Sequence, residues 1–152
     1  MSYIDDLFDS AKFAAIVDRT CEDLKTVDFD TIVFRGFSGA LVGPLVALRL
    51  GKKMSLVRKP GDSSHSDARI EGVVGNKYII LDDFVSSGAT VREIVVTVKM
   101  DSCGRYDEAE CVGVYMWHES YRRAVVAKWN GGNADSSYND ISASCDGVKV
   151  LN

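Results

Sequence analysis

The sequence predicts an α/β protein, a mostly parallel, doubly wound sheet with helices against it. Two observations lead there. Short apolar runs of strand length alternate with stretches whose apolar residues recur at helical spacing, and strands that alternate with helices at short intervals favour parallel pairing. A third sets the scale: 46% of the 152 residues are apolar, which supports a real core in one domain.

The elements fall in order along the chain. Leu7, Phe8, Ala11, Ala14, Ala15 and Val17 share one side of an N-terminal helix. Asp28 to Phe34 (DFDTIVF) reads as a strand entered from a turn. Gly36, Gly39 and Gly43 punctuate a loop and the start of a helix, which continues through Pro44 to Leu50 and stops at Gly51. Lys53 to Val57 is a further strand. Arg58 to Asp67 (RKPGDSSHSD) has no apolar anchor and reads as an exposed, mobile loop. Arg69 to Val74 is a candidate strand, Gly75-Asn76 a turn, and Tyr78 to Leu81 a buried strand. Val91, Ile94, Val95 and Val98 mark a helix over Val91 to Met100, and Glu110 to Met116 (ECVGVYM) is a strand. Tyr121 to Trp129 reads as helical, Asn130 to Asp140 as a polar loop, and Val148 to Leu151 as a last short strand.

The charge balance excludes some classes. A net charge of −4 argues against a nucleic-acid or membrane-surface protein, although a local basic patch can still hold phosphate. No apolar run approaches the length of a membrane span. The acidic start MSYIDDLFDSAKF is not a secretory leader. Cys21, Cys103, Cys111 and Cys145 form no C-x-x-C pair and have no histidine at zinc-ligand spacing, so they read as reduced thiols of a cytoplasmic protein.

The chemistry concentrates in IILDDFVSSGAT, Ile79 to Thr90. Ser86, Ser87, Gly88, Ala89 and Thr90 join a strand to a helix. Backbone N–H groups at a helix start carry partial positive charge, small side chains admit an anion, and hydroxyls add donors, so the segment suits a phosphate. The same residues also suit a plain helix cap. Asp82 and Asp83 distinguish the two. Adjacent carboxylates repel a bare anion, but they accept hydrogen bonds from sugar hydroxyls and hold Mg²⁺ directly or through water. A phosphate at one end and a diol with a metal at the other describe a sugar phosphate. In a parallel sheet the acid pair and the Arg35-Gly36 turn both fall at strand carboxyl ends, where ligands bind.

Ile79 to Thr90 resembles the phosphoribosyl-diphosphate (PRPP) signature of type I phosphoribosyltransferases: hydrophobics, two acids, a few variable residues, then Thr-Gly-x-Thr, with Ser87 here in place of the first Thr. VFRGFSGALVGPLVALRLGKKMSLVRKPG, Val33 to Gly61, resembles the pyrophosphate loop and following elements of adenine phosphoribosyltransferases. The short span from Arg58 to Asp83 is similar to orotate phosphoribosyltransferases. The resemblance covers Thr31 to Tyr115 and implies a type I phosphoribosyltransferase-like fold. Its core would be about residues 28–116, with a small hood from 1–27 and/or 117–152.

That resemblance implies roles. Arg35 and Gly36 would hold pyrophosphate, with the Phe34–Arg35 peptide a candidate non-proline cis bond. Arg58, Lys59 and His65 would close over the leaving group. Asp82 and Asp83 would grip the ribose and Mg²⁺. Phe84, Val85 and Trp117 would face the base, with Tyr115 nearby, although core packing suits Phe84 equally, and core or interface packing suits Tyr115 and Trp117 better. A homodimer is the expected assembly, with Trp129 among the exposed apolar groups that could serve it. Ser86 stands where enzymes for 6-oxopurines carry an Asp, so adenine or an orotate-like base is favoured. The implied reaction moves the phosphoribosyl group of PRPP to a nucleobase. The alternatives are a non-catalytic PRPP or nucleotide sensor and an unrelated phosphate-binding α/β protein.

Overall fold

The computed structural model describes residues 4–62, 67–85, 88–119 and 148–152. After a 3-10 turn at Asp5–Phe8 come α1 (Ser10–Leu24), β1 (Thr31–Phe34), α2 (Gly36–Leu50), β2 (Lys53–Val57), β3 (Ile70–Gly72), β4 (Lys77–Asp82), α3 (Ala89–Lys99) and β5 (Glu110–Met116). The strands form one sheet in the order β3-β2-β1-β4-β5. β1 pairs in parallel with β2 and β4, and β4 in parallel with β5. β3 turns back antiparallel along β2, with Leu56 opposite Glu71, and so departs from the parallel pattern at the sheet edge. Twelve residues separate the end of β2 from the start of β3, at the lower limit for a crossover connection, and β3 returns alongside β2 instead.

Strand alternation divides the core. Ile32, Phe34, Ile79, Leu81, Tyr115 and Trp117 face α1 and α2. Val33, Val57, Ile80, Val114 and Met116 face α3 through Val91, Ile94 and Val98. Successive residues of a strand point to opposite faces, so a strand covered on both sides must be apolar throughout. Thr31 is the polar residue of β1, and its hydroxyl donates to Asp30 and accepts from the Gly75 N–H.

The N-terminal helix uses a different face from the one its alanines suggest. Ile16, Val17, Thr20, Cys21 and Leu24 are buried, with Phe13 against the same cluster, whereas Phe8, Ala11, Ala14 and Ala15 are exposed. Asp9 caps the helix by accepting the Lys12 N–H. α1 packs on the sheet beside α2. α2 begins at Gly36, earlier than the three glycines suggest, and runs through Pro44 to a left-handed Gly51. Val148 to Leu151 contributes one parallel bridge, Val114 to Val150, rather than a strand. The expected helix over Tyr121 to Trp129, the loop over Asn130 to Asp140, and Cys145 lie outside the described residues. The described cysteines, Cys21, Cys103 and Cys111, are free thiols. Among the described residues no helix is long and apolar enough to cross a membrane.

Gly39 and Gly43 let α2 settle directly onto Phe34. A Cβ on Gly39 would meet the Phe34 Cβ at 2.5 Å and the Leu81 carbonyl oxygen at 3.0 Å. Neither is the far end of a flexible side chain. Gly39→Ala gains helix propensity of roughly 1 kcal/mol yet forces α2 off the sheet. The expected net effect in urea unfolding is a loss of about 1–3 kcal/mol; an unchanged or raised midpoint would show that α2 can shift without cost.

Candidate active site

β1 and β4 lie side by side, and the helices that follow them leave to opposite faces of the sheet. The space between the two strand ends is a cleft of about 280 Å³. Its walls are the start of α2, the acid pair with Phe84 and Val85, the start of α3, and Lys59. Gly36 makes the turn into α2 at φ +70° and Gly88 the turn into α3 at φ +79°, both in the left-handed region that glycine tolerates. Two helix starts, each with its positive dipole end, therefore converge on one cavity.

The carboxylates are held by their surroundings. Asp82 Oδ1 accepts from the Ser38 hydroxyl and from the Asp83 N–H, each at 2.9 Å. Asp83 Oδ1 accepts from the Phe84 N–H at 2.8 Å. Beyond the end of β5, the Trp117 N–H donates to the Asp82 carbonyl at 3.0 Å and the His118 N–H to the Asp83 carbonyl at 3.1 Å, which fixes the acid backbone. Burial pushes the Asp82 carboxyl up to about 7, the adjacent Asp83 adds to this, and the bonds from Asp83 N–H and Ser38 oppose it. An arriving cation or a set of hydroxyl donors favours the ionised form. Among the described residues no three His, Cys, Asp or Glu side chains gather as a metal cage. Two carboxylates with the remaining positions left to substrate and water fit Mg²⁺, which is commonly held that way.

Several residues expected at the site do line the cleft: Lys59, Asp82, Asp83, Phe84, Val85, Gly36, Gly88, Ala89 and Thr90. Arg35 lines it too, but its guanidinium is turned away. It is paired with Glu93 of α3 and donates to the Val57 and Arg58 carbonyls at 3.4 Å, and the residue is only 7% exposed. The Phe34–Arg35 peptide is trans; extended Arg35 and left-handed Gly36 make the turn without a cis bond.

Arg58 corrects the reading of an exposed loop. It is 9% exposed, continues the β2–β3 ladder by donating its N–H to the Arg69 carbonyl, and pairs with Glu71 and Asp62 away from the cleft. Trp117 is likewise a core residue, fully buried, with its indole N–H donating to the Ser38 carbonyl at 3.0 Å. Tyr115 is buried and donates its hydroxyl to Asp23. His65, Ser86 and Ser87 lie outside the described residues. The sequence reading missed Phe37 and Ser38, both in the cleft wall; the signal available for Ser38 was a hydroxyl in the first turn after Gly36.

No protein-family model matches the chain. It is 32% identical over 112 residues to an adenine phosphoribosyltransferase of Thermotoga neapolitana, a match covering 61% of this chain and 64% of that one. It is 29% identical over 83 residues to the transcriptional regulator GfcR of Methanocaldococcus jannaschii, covering 49% of this chain and 39% of the regulator. The crystal structure of adenine phosphoribosyltransferase from Thermoanaerobacter pseudethanolicus superposes with a TM-score of 0.55 at 24% identity, covering 72% of this chain and 69% of the other. The chain is thus similar to adenine phosphoribosyltransferases over about three fifths of its length and shares the fold of the solved one. It spans less than two thirds of the length of the curated relatives it matches first. Arg35 to Ser38 and the described residues Asp82 to Val85 and Gly88 to Thr90, expected to act together, border one cavity.

The acid pair has a consequence for stability. Asp82 has its pKa raised in the folded chain, so between about 4 and about 7 the folded state binds more protons than the unfolded state. Stability therefore falls as pH rises through that window. Asp82→Asn removes this loss: at pH 8 the ligand-free variant is expected to exceed the parent by on the order of 1–3 kcal/mol, with the difference vanishing near pH 4. Denaturant titrations at the two pH values check it; a variant equally less stable at both contradicts it.

Proposed function

We propose that the chain is a phosphoribosyltransferase that moves the 5-phosphoribosyl group of PRPP to a nucleobase, with adenine the first base to test. One arrangement carries the reading: two helix starts flank a half-buried acid pair in a single cleft at the junction of β1 and β4. The α3 start, with Gly88, Ala89 and Thr90, would receive the 5′-phosphate, joined by Ser86 and Ser87. The α2 start, with Gly36, would receive pyrophosphate through backbone amides. Asp82 and Asp83 would accept from the ribose hydroxyls and hold Mg²⁺, which supplies positive charge against the pyrophosphate. Phe84 and Val85 would lie against the base, and His65 would belong to the closing loop. The hood would come from the C-terminal part of the chain rather than from α1, which packs on the sheet, with Trp117 itself in the core.

In the reaction a base nitrogen forms its bond to ribose C1 as the bond from C1 to the pyrophosphate oxygen breaks, and that electron pair leaves with pyrophosphate. Charge builds on the ribose ring and on the leaving group, so fixed charges and dipoles at both ends lower the barrier. Lys59 is the cation in the cleft wall suited to the leaving group, since the Arg35 and Arg58 guanidinium groups are engaged by Glu93 and Glu71. The same reading includes a cytoplasmic location and a homodimer. For the dimer, exposed Phe37, Leu45 and Leu48 on α2 are the candidate contact, and sedimentation over a concentration series tests it.

A second reading has its own support. The engagement of two arginines in internal ion pairs leaves less charge for a departing pyrophosphate, and one relative is named a transcriptional regulator. A PRPP sensor needs binding without turnover.

Pyrophosphate release with PRPP, Mg²⁺ and a panel of adenine, hypoxanthine, guanine, xanthine, orotate, uracil and nicotinamide separates the two. The transferase predicts release with adenine or another single base, abolished in an Asp82→Asn/Asp83→Asn double variant and lowered on the order of 100-fold by Lys59→Ala. Silence with every base, while the parent still binds PRPP, contradicts catalysis on these substrates and selects the sensor.

A further inference from the structure

Ser38 links α2 to the acid pair across 44 positions of sequence, its hydroxyl donating to Asp82 Oδ1 at 2.9 Å. An ordinary serine in a first helical turn turns its hydroxyl to nearby backbone. This one spans to another strand end. Its own position is fixed from behind, because its carbonyl accepts the Trp117 indole N–H at 3.0 Å. Trp117 is fully buried, and its carbonyl in turn accepts Arg19 Nη2 at 3.0 Å, which ties the ring's backbone to α1. The donor to Asp82 thus sits on a packed framework rather than on a solvated side chain. The second donor, the Asp83 N–H, reaches the same oxygen, Oδ1. Two donors on Oδ1 anchor the carboxylate at that oxygen, and Oδ2 is the oxygen a ligand would meet.

We propose that Ser38 is a positioning residue: its hydroxyl, on a backbone held by Trp117, orients Asp82 so that Oδ2 meets the ribose hydroxyls of a phosphoribosyl substrate. This rests on the phosphoribosyl reading above. The role belongs to the sugar and not to the phosphates, which separates it from a general contribution to folding.

Calorimetric titration of the full chain with PRPP and ribose 5-phosphate, each with Mg²⁺, and with inorganic pyrophosphate without it, tests it. Ser38→Ala is expected to weaken PRPP and ribose 5-phosphate by about tenfold, the size of one hydrogen bond to a charged group. Pyrophosphate affinity is expected to stay at the parent's value, and Ser38→Thr, which retains the hydroxyl, to restore the sugar ligands. Equal weakening of all three ligands, no weakening of any, or a Thr variant as weak as Ala overturns the positioning role while leaving the phosphoribosyl reading standing. A parent that binds neither PRPP nor ribose 5-phosphate overturns both.

Discussion

Neighbouring strands β1 and β4 send their helices to opposite faces of the sheet, and the cleft exists because of that divergence. A polypeptide leaving β1 covers one face and one leaving β4 covers the other, so nothing from either fills the gap between the strand ends. What lines the gap is then set by the last residues of each strand and the first turn of each helix. On one side these are Arg35 to Ser38; on the other, Asp82 to Val85 and Gly88 to Val91. The apolar strands, the glycines under α2 and the buried Trp117 all serve to keep those two ends at a fixed separation.

Charge within this frame is divided between holding and binding. Arg35 and Arg58 are nearly buried, and a buried guanidinium is costly unless an anion meets it. Glu93 and Glu71 meet that need, and in doing so they fasten the end of β1 to α3 and β2 to β3. The acid pair is the opposite case. Asp82 receives hydrogen bonds but no cation from the chain among the described residues, and its burial disfavours its own charge. A site that strains one of its own carboxylates in this way gains by accepting a cation or hydroxyl donors from a ligand.

Local patterns carried much of this in the sequence. β2 and β5 fall on the residues their alternation marks, and Ile79 to Thr90 announces a strand, an acid pair and a helix start through composition alone. The sequence suggests the wrong face of α1 because Phe8 and three alanines outweigh a stripe that contains Thr20 and Cys21, residues whose burial depends on what packs above them. The arginines show the larger limit. Sequence displays a charge but not its partner, and Glu93 is 58 residues from Arg35 while Glu71 is 13 from Arg58. Ser38 shows only a hydroxyl near Gly36 in the sequence, because its partner, Asp82, lies 44 residues along the chain.

The central claim is that the two helix starts form one ligand site. Backbone amide shifts of isotopically labelled protein, followed by NMR as PRPP and Mg²⁺ are added, test it most directly. The account predicts that the largest changes fall together on Gly36–Gly39 and Gly88–Val91, saturating with one affinity. Changes centred elsewhere, as on the groove between Arg69 and Met100, or on one helix start without the other, would contradict it.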